Sequence, residues 1–271
     1  MADQRVALVT GVSSGIGEAT ARALVGNGYR VFGTVRSPDG VVPEGVERVA
    51  MDVRDEASIA AAVASILSRA GRVDALVNNA GATIMGAIEE TDTAQAQALF
   101  DVNFFGAARV TNAVLPTMRA RRAGRIIFVS SVLGFLPAPF MGFYAASKHA
   151  LEGYSESLDH EVRTLGIRSI LVEPGYMKTK LDKNSMVAAR TIGDYSEARE
   201  RVGAGLNANI EGGGDPALVA ATIAGALAAR RPKLRYPVGK GAGTLAKLRS
   251  FMPAGLFDSS LRKEFRLDGA R

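Results

Sequence analysis

Short apolar runs alternate along this chain with longer segments whose apolar residues recur every three or four positions. The run Arg5-Val6-Ala7-Leu8-Val9-Thr10 ends in a glycine-rich turn and predicts a buried strand. Beyond the turn, Ile16, Ala19, Ala23 and Leu24 fall on one side of a predicted helix. Tyr29 to Arg36 predicts a second strand and Val46 to Val53 a third. Asp55 caps the next helix, which presents Ile59, Val63, Ile66 and Leu67 on one face and stops at Gly71. Val73 to Val77 is the fourth strand, and it runs into Asn78-Asn79-Ala80-Gly81. A long helix, roughly Ala94 to Arg119, carries Asn103 in its middle. Arg125 to Ser130 is the fifth strand. The following helix holds Tyr144 and Lys148 beside an apolar stripe of Leu151, Tyr154, Leu158, Val162 and Leu165. Ile167 to Val172 predicts the sixth strand, ending in Glu173-Pro174-Gly175, and Leu234 to Val238 the last.

One continuous alternation of this kind predicts a single α/β domain over residues 1–271, a Rossmann-type doubly wound parallel sheet of about seven strands with helices on both faces. Two stretches depart from it. Residues 176–214 mix polar, glycine and methionine residues with short helical pieces, as a substrate lid or binding loop does. The stretch closes at Asp215-Pro216, a cap and first-turn pair that starts a helix. Residues 239–271 form a C-terminal extension in which Leu245, Leu248, Phe251, Leu256, Phe257, Leu261 and Phe265 alternate with basic residues. It is expected to pack on the body, to cover a substrate mouth, or to touch a membrane surface, in that order of preference.

Composition narrows the chemistry. The 271 residues are 47% hydrophobic and 22% charged, which excludes wholesale disorder. With no cysteine, disulfides and thiolate catalysis are excluded, and His149 and His160 are too few for a histidine-rich metal site. The first residues lack signal-peptide architecture, and the longest apolar stretch, Ala217 to Ala229, is too short to span a bilayer, so a cytoplasmic protein is expected. The net charge of +6 is uneven. From Arg230 onward eleven Lys/Arg face three acids, while the rest of the chain is slightly acidic. No nucleic-acid partner is expected.

The strand, glycine turn and helix around Gly11, Gly15 and Gly17 make a phosphate-binding device, because glycines let an anion approach and the helix N-terminus offers free N–H groups. The second strand ends in Val35-Arg36 with no acid, the arrangement that accommodates the 2′-phosphate of NADP. Asn103 is a poor residue for a helix interior, which points to a special role. Ser130 and Ser131 arrive at the carboxyl edge of the sheet, where open α/β sheets bind ligands. Tyr144 and Lys148, four apart, share a helix face, and a nearby ammonium favours the phenolate.

Taken jointly, these residues resemble the short-chain dehydrogenase/reductase family, in its ordinary-length branch. The matching pieces are Thr10-Gly-x-x-x-Gly15-x-Gly17, Asp52-Val53, Asn78-Asn79-Ala80-Gly81, Asn103, Ser131, Tyr144-x-x-x-Lys148 and Pro174-Gly175-x-x-x-Thr179, covering residues from about 5 to 180. The resemblance implies that Tyr144 is the general acid/base and that Lys148 lowers its pKa and holds the nicotinamide ribose. Ser131 would orient the substrate oxygen, and Asn103 would hold a water of a proton relay. It also implies a cofactor surface of Gly11, Ser13, Ser14, Gly15, Ile16, Gly17, Arg36, Asp52, Val53, Asn79, Ala80, Gly81, Pro174, Gly175, Met177 and Thr179, together with Tyr144 and Lys148. Ser130 is left as a packing residue. The cofactor expected is NADP(H), with NAD(H) as the second nucleotide the fold can take. The reaction is hydride transfer between a ketone or aldehyde and an alcohol, and no metal is called for.

The basic-apolar tail looks more like the retinol- and 17-beta-hydroxysteroid-type members than the ketoacyl reductases. Leu133, Met141 and Tyr176, with Val132, Phe135, Phe140 and Met177, would then wall a lipophilic steroid- or retinoid-like substrate. A reductase of carrier-bound 3-oxoacyl thioesters is the alternative, and a non-catalytic NADP sensor is the rival from another class. Family members commonly form homodimers or homotetramers through the two helices carrying Asn103 and Tyr144, and the same is expected here.

Overall fold

The computed structural model describes residues 4–179, 185–265 and 267. Its elements, in chain order, begin with β1 (Val6–Val9), α1 (Gly15–Gly26), β2 (Arg30–Val35), β3 (Val46–Ala50), α2 (Glu56–Ala70), β4 (Ala75–Asn78) and β5 (Thr83–Met85). The middle of the chain gives α3 (Thr93–Phe100), α4 (Ala107–Arg121), β6 (Gly124–Val129), α5 (Gly142–Val162), β7 (Ile167–Pro174) and β8 (Ser185–Val187). The last elements are α6 (Ser196–Glu211), α7 (Pro216–Ala228), β9 (Arg235–Val238), α8 (Ala242–Phe251) and α9 (Ala254–Glu264).

Seven strands pair in parallel in the order β3-β2-β1-β4-β6-β7-β9. This is the doubly wound sheet expected from the alternation, and all seven main strands fall where the apolar runs place them. The inner strands are buried on both sides, so their alternate residues serve two cores. Val6 and Leu8 of β1 join Phe32, Ile59, Ile66, Val110, Phe128 and Leu158 on the α2–α4–α5 face. Ala7 and Val9 join Leu24, Val31, Ile127, Ile170, Val219 and Ile223 on the α1–α7 face. Strand order reverses between β1 and β4, which opens a crevice beyond their carboxyl ends.

Helix ends follow local chemistry. The Asp55 side chain accepts from Ala57 N and Ser58 N, and α2 stops at Gly71 in the left-handed conformation. Asp215 accepts from Ala217 N, with Pro216 in the first turn of α7.

Three expectations need correction. The buried stripe of α1 is Gly17, Thr20, Ala21 and Leu24, rotated from the Ala19–Ala23 side, because small residues let the helix lie close to the sheet and to α7. The long helix around Asn103 is not uniform. α3 and α4 are joined by a π-helical segment, Asp101–Gly106, whose wider turn brings Asn103 inward. Within residues 176–214, α6 is a full helix of 16 residues rather than a short piece, while Lys180 to Asn184 of the expected lid lie outside the described residues.

The segment after those residues is fastened to the body. β8 pairs in parallel with β5, Met186 lying opposite Ile84. The Gln95 amide donates to Val187 O at 2.6 Å and accepts from Ala189 N at 2.8 Å. Buried Glu90 accepts from Ala87 N and Ile192 N, both at 2.8 Å, and pairs with Arg199 of α6. Its carboxyl is held below the usual range: desolvation opposes ionisation, and the two backbone donors and Arg199 outweigh it. Glu90→Ala is expected to free this segment selectively. Limited proteolysis should cut within residues 185–211 at least tenfold faster, with a smaller change in global unfolding. Cleavage spread evenly over the chain would show that Glu90 supports the whole fold instead.

Candidate active site

The crevice is built first from the glycine turn. A methyl group at Gly17 would collide with the Gly11 carbonyl oxygen, and Gly15 adopts φ of 61°, so both positions require glycine. Ser14, extended before α1, makes no side-chain cap, which leaves the first N–H groups of the helix for an anion. Thr179 lies against this cradle, its Cβ 3.4 Å from where a Gly15 Cβ would be. Ser13 is exposed and Ile16 half-buried on its flanks.

The turn is tied to the end of β4. Thr10 Oγ1 accepts from Asn79 N and Ala80 N at 2.9 Å, while Asn79 Nδ2 donates to Thr10 O and Gly11 O at 2.9 and 3.1 Å. Gly81 lies beside Asn103 and Lys148. Pro174 ends β7, and Gly175 N donates to Val238 O at 2.9 Å.

At the far end of the crevice Asp52 is bracketed by two cations. Arg54 donates to its carboxylate at 2.6–3.2 Å. The Arg54 hydrogen bonds are the main reason that the Asp52 carboxyl sits below its ordinary value, with Arg36 adding a further electrostatic pull. Arg54 was not singled out in the sequence, because Asp-x-Arg two apart is an ordinary surface pattern until both side chains meet at the crevice.

The catalytic candidates converge. Tyr144 and Lys148 are buried on α5, with the Lys148 Nζ 5.8 Å from the Tyr144 ring centre. Ser131 lies in hydrogen-bonding reach of the Tyr144 phenol, and its hydroxyl accepts from Leu133 N at 3.1 Å. Asn103 reaches the same place from the π-helical segment. Its Oδ1 accepts from Ala82 N at 2.8 Å, and its Nδ2 donates to Ala82 O and Ser147 Oγ at 3.0 and 3.1 Å. The Asn103 side chain therefore braces the loop after β4 against α5.

Electrostatics here differ from the expectation that Lys148 draws Tyr144 down. Burial pushes the Tyr144 phenol up to about 12, against which only the Ser131 hydrogen bond acts. Burial also lowers Lys148 to about 8, opposed by the Glu152 charge, and the Lys148 Nζ donates to Val129 O at 3.0 Å.

Behind this pair lies a charged cluster that the apolar pattern concealed. Lys148, Glu152 and Glu156 follow one another at four-residue steps along α5. Arg235 from β9 pairs with Glu152, with Glu156 at 2.7 Å and with Glu173 at the end of β7. Ser130 is not merely a packing residue: its hydroxyl donates to Glu152 at 2.7 Å. Desolvation, then the Glu152 charge, raises Glu173 to about 7 against the pull of Arg235.

On the substrate side Tyr144 and Met141 share an apolar cluster with Ile84, Leu99 and Ala138. Leu133, Met186 of β8, Leu206 of α6 and Phe265 pack against it. Tyr176 is partly exposed and hydrogen-bonds toward Asn209 of α6. Phe140, at φ of 61°, holds a left-handed conformation rare for an aromatic residue and packs edge-on against Tyr195. The side chain of Met177 sits in the core with residues of α7, and that of Val53 is buried in the opposite core against Gly106, so either residue would meet a nucleotide through its backbone.

A parallel sheet with a phosphate cradle at its switch point, opening on a buried tyrosine–lysine pair, defines a nicotinamide-nucleotide oxidoreductase of CH–OH groups. The chain belongs to the short-chain dehydrogenase family, whose model matches residues 5–189. It is 37% identical to a 3-ketodihydrosphingosine reductase of Bacteroides thetaiotaomicron, over 95% of this chain and 97% of that one. It is 33% identical to the mouse 17-beta-hydroxysteroid dehydrogenase type 1, over 93% and 79%. A short-chain dehydrogenase structure from Streptomyces avermitilis superposes with a TM-score of 0.82 at 36% identity, covering 98% of both chains. One from Burkholderia phymatum in complex with NAD gives 0.79 at 26% identity, covering 91% and 92%.

The Glu173 proton gives stability a direction. In the unfolded chain its carboxyl titrates at the ordinary 4.5, and in the folded protein at about 7. The folded state is thus favoured by the proton, fully so below the unfolded value, and that stability is lost as pH rises through about 7. Glu173→Gln keeps the neutral form, so relative to wild type it should gain on the order of 2 kcal/mol between pH 5 and 8. Denaturant unfolding at both pH values measures it, and a variant that tracks wild type would show that Glu173 does not titrate in this range.

Proposed function

We propose that this protein is an NADPH-dependent reductase of a ketone carried on a lipophilic molecule. The observation that carries the reading is the apolar cluster in which Met141 packs with Tyr144 and against which Leu133, Met186, Leu206 and Phe265 pack. Large apolar side chains gathered around a buried tyrosine suit a long aliphatic or polycyclic ketone. The named relatives that reduce a sphingoid ketone or act on a steroid favour the same class. The sphingoid relative is the more similar and extends the class beyond steroids and retinoids to long-chain lipids. A carrier-bound 3-oxoacyl thioester is the second reading, because its acyl chain would fit the same walls.

The cradle at Gly15 and Gly17, with Thr179 over it, would hold the pyrophosphate of the nucleotide, and Arg36 and Arg54 a 2′-phosphate. The bound nicotinamide supplies the hydride. Ser131 and Tyr144 donate hydrogen bonds to the substrate oxygen as negative charge grows on it, and Tyr144 releases its proton to that oxygen. Lys148 would carry the replacement proton, and Asn103 fixes the loop beside it. Phe105, half-exposed on the segment joining α3 to α4, and Phe143 at the start of α5 line an open groove with Phe100, the face through which a homodimer would form.

Two outcomes test this function. Tyr144→Phe should lower kcat by at least a thousandfold on whichever long-chain, steroid or retinoid ketone the wild type reduces, while NADPH still binds. A variant that keeps its turnover would remove Tyr144 from the chemistry. Arg36→Asp should weaken NADPH about 10- to 100-fold, the range for losing a charge-assisted phosphate contact, and spare NADH. Kinetics with both nucleotides read this out, and an unchanged preference would mean that Arg36 does not meet the phosphate.

A further inference from the structure

The C-terminal helices have two unlike sides. Inward, Ala242 is buried in a cluster with Val132 and Leu136, and Phe135 and Phe257 pack against it. Arg249 Nε donates to Phe135 O at 3.3 Å, and its guanidinium lies 4.9 Å from the Phe257 ring centre. α8 and α9 therefore lean on the turn that follows Ser131. Outward, helical geometry sets Lys247, Leu248 and Phe251 within about a third of the circumference of α8, opposite Ala242. On α9, Leu256 and Lys263 lie away from the inward Phe257 and Leu261. Phe251 is 85% exposed, Leu256 64% and Leu248 39%. α8 contains no acid.

We propose that this outward face docks on an anionic lipid bilayer. Large apolar side chains interleaved with lysines are the chemistry of an interfacial helix: phenylalanine and leucine enter the headgroup–acyl boundary, and lysines meet the lipid phosphates. Charge selects the occupant. The chain from Arg230 on carries eleven Lys/Arg against three acids, so it is attracted to an anionic surface, while a second copy would bring like charge against like. Among the described residues no helix is long and apolar enough to cross a membrane, so the contact lies on the surface. Docking would hold the turn after Ser131 about one helix diameter, roughly 10 Å, from the bilayer. What it contributes to catalysis, entry of a membrane-dissolved ketone into the site, rests on the function proposed above; the docking itself does not.

The test is co-sedimentation of the full chain with phosphatidylcholine vesicles, with and without roughly one-third phosphatidylglycerol. Binding to the anionic vesicles only, weakened by salt, is expected. The pairs Phe251→Ser with Leu256→Ser, and Lys247→Gln with Lys263→Gln, should each lower partitioning at least tenfold. NADPH affinity and circular dichroism should stay unchanged, which keeps misfolding apart from lost docking. No sedimentation of wild type, or partitioning that neither pair alters, would overturn the proposal. So would a change of oligomeric state in the Phe251/Leu256 pair without vesicle binding, which would mark the face as a subunit contact. Vesicle binding is read without substrate, so docking without turnover of any lipid ketone refutes the proposed function alone.

Discussion

Lys148 is a cation taken out of water, and the placement of α5, β6, β7 and β9 is tied to holding it there. A buried ammonium needs hydrogen-bond acceptors and opposite charge. Val129 at the end of β6 supplies the carbonyl, and Glu152, one turn along α5, supplies the charge. Glu152 is itself buried, so it needs donors, and Ser130 and Arg235 provide them. Arg235 in turn gathers Glu156 and Glu173. The last strand of the sheet is thereby connected to the catalytic helix by charge as well as by packing. Burial, and then the charge of Glu152, push the Glu173 carboxyl up to about 7 although Arg235 pairs with it.

The same economy governs the nucleotide side. Thr10 and Asn79 cross-link the ends of β1 and β4, so the glycine turn is rigid although its glycines impose little of their own. A phosphate cradle with fixed N–H groups needs no rearrangement when an anion arrives. The Asn103 side chain repeats the device one loop later, bonding both polar groups of Ala82 from a π-helical turn. In each case an amide side chain supplies what a loop lacks, a partner for backbone groups that no strand or helix pairs.

The substrate side is assembled from segments far apart in sequence: the turn after β6, the start of α5, β8, α6 and Phe265. Glu90 and Gln95 fasten β8 and the residues after it to the body, so this side of the cluster is held by hydrogen bonds as well as by packing. The tail closes the other flank by packing on the turn after Ser131 and leaves its own outer surface apolar and basic. A site fed by lipophilic molecules and a surface suited to a bilayer would serve one purpose, since such substrates spend little time in water.

Strand and helix order, the glycine turn and the caps at Asp55 and Asp215 were legible in the sequence because they are local: each follows from the spacing of apolar residues or from the chemistry of a few neighbours. The Asn103–Ser131–Tyr144–Lys148 set came instead from the resemblance to a family. Tertiary structure alone decided what joins distant segments. It turned Met177 and Val53 into the cores, gave Ser130 to Glu152, and paired β8 with β5. It also set the burial of the site: desolvation raises Tyr144 and lowers Lys148, and it depends on everything packed around a group and not on its neighbours along the helix.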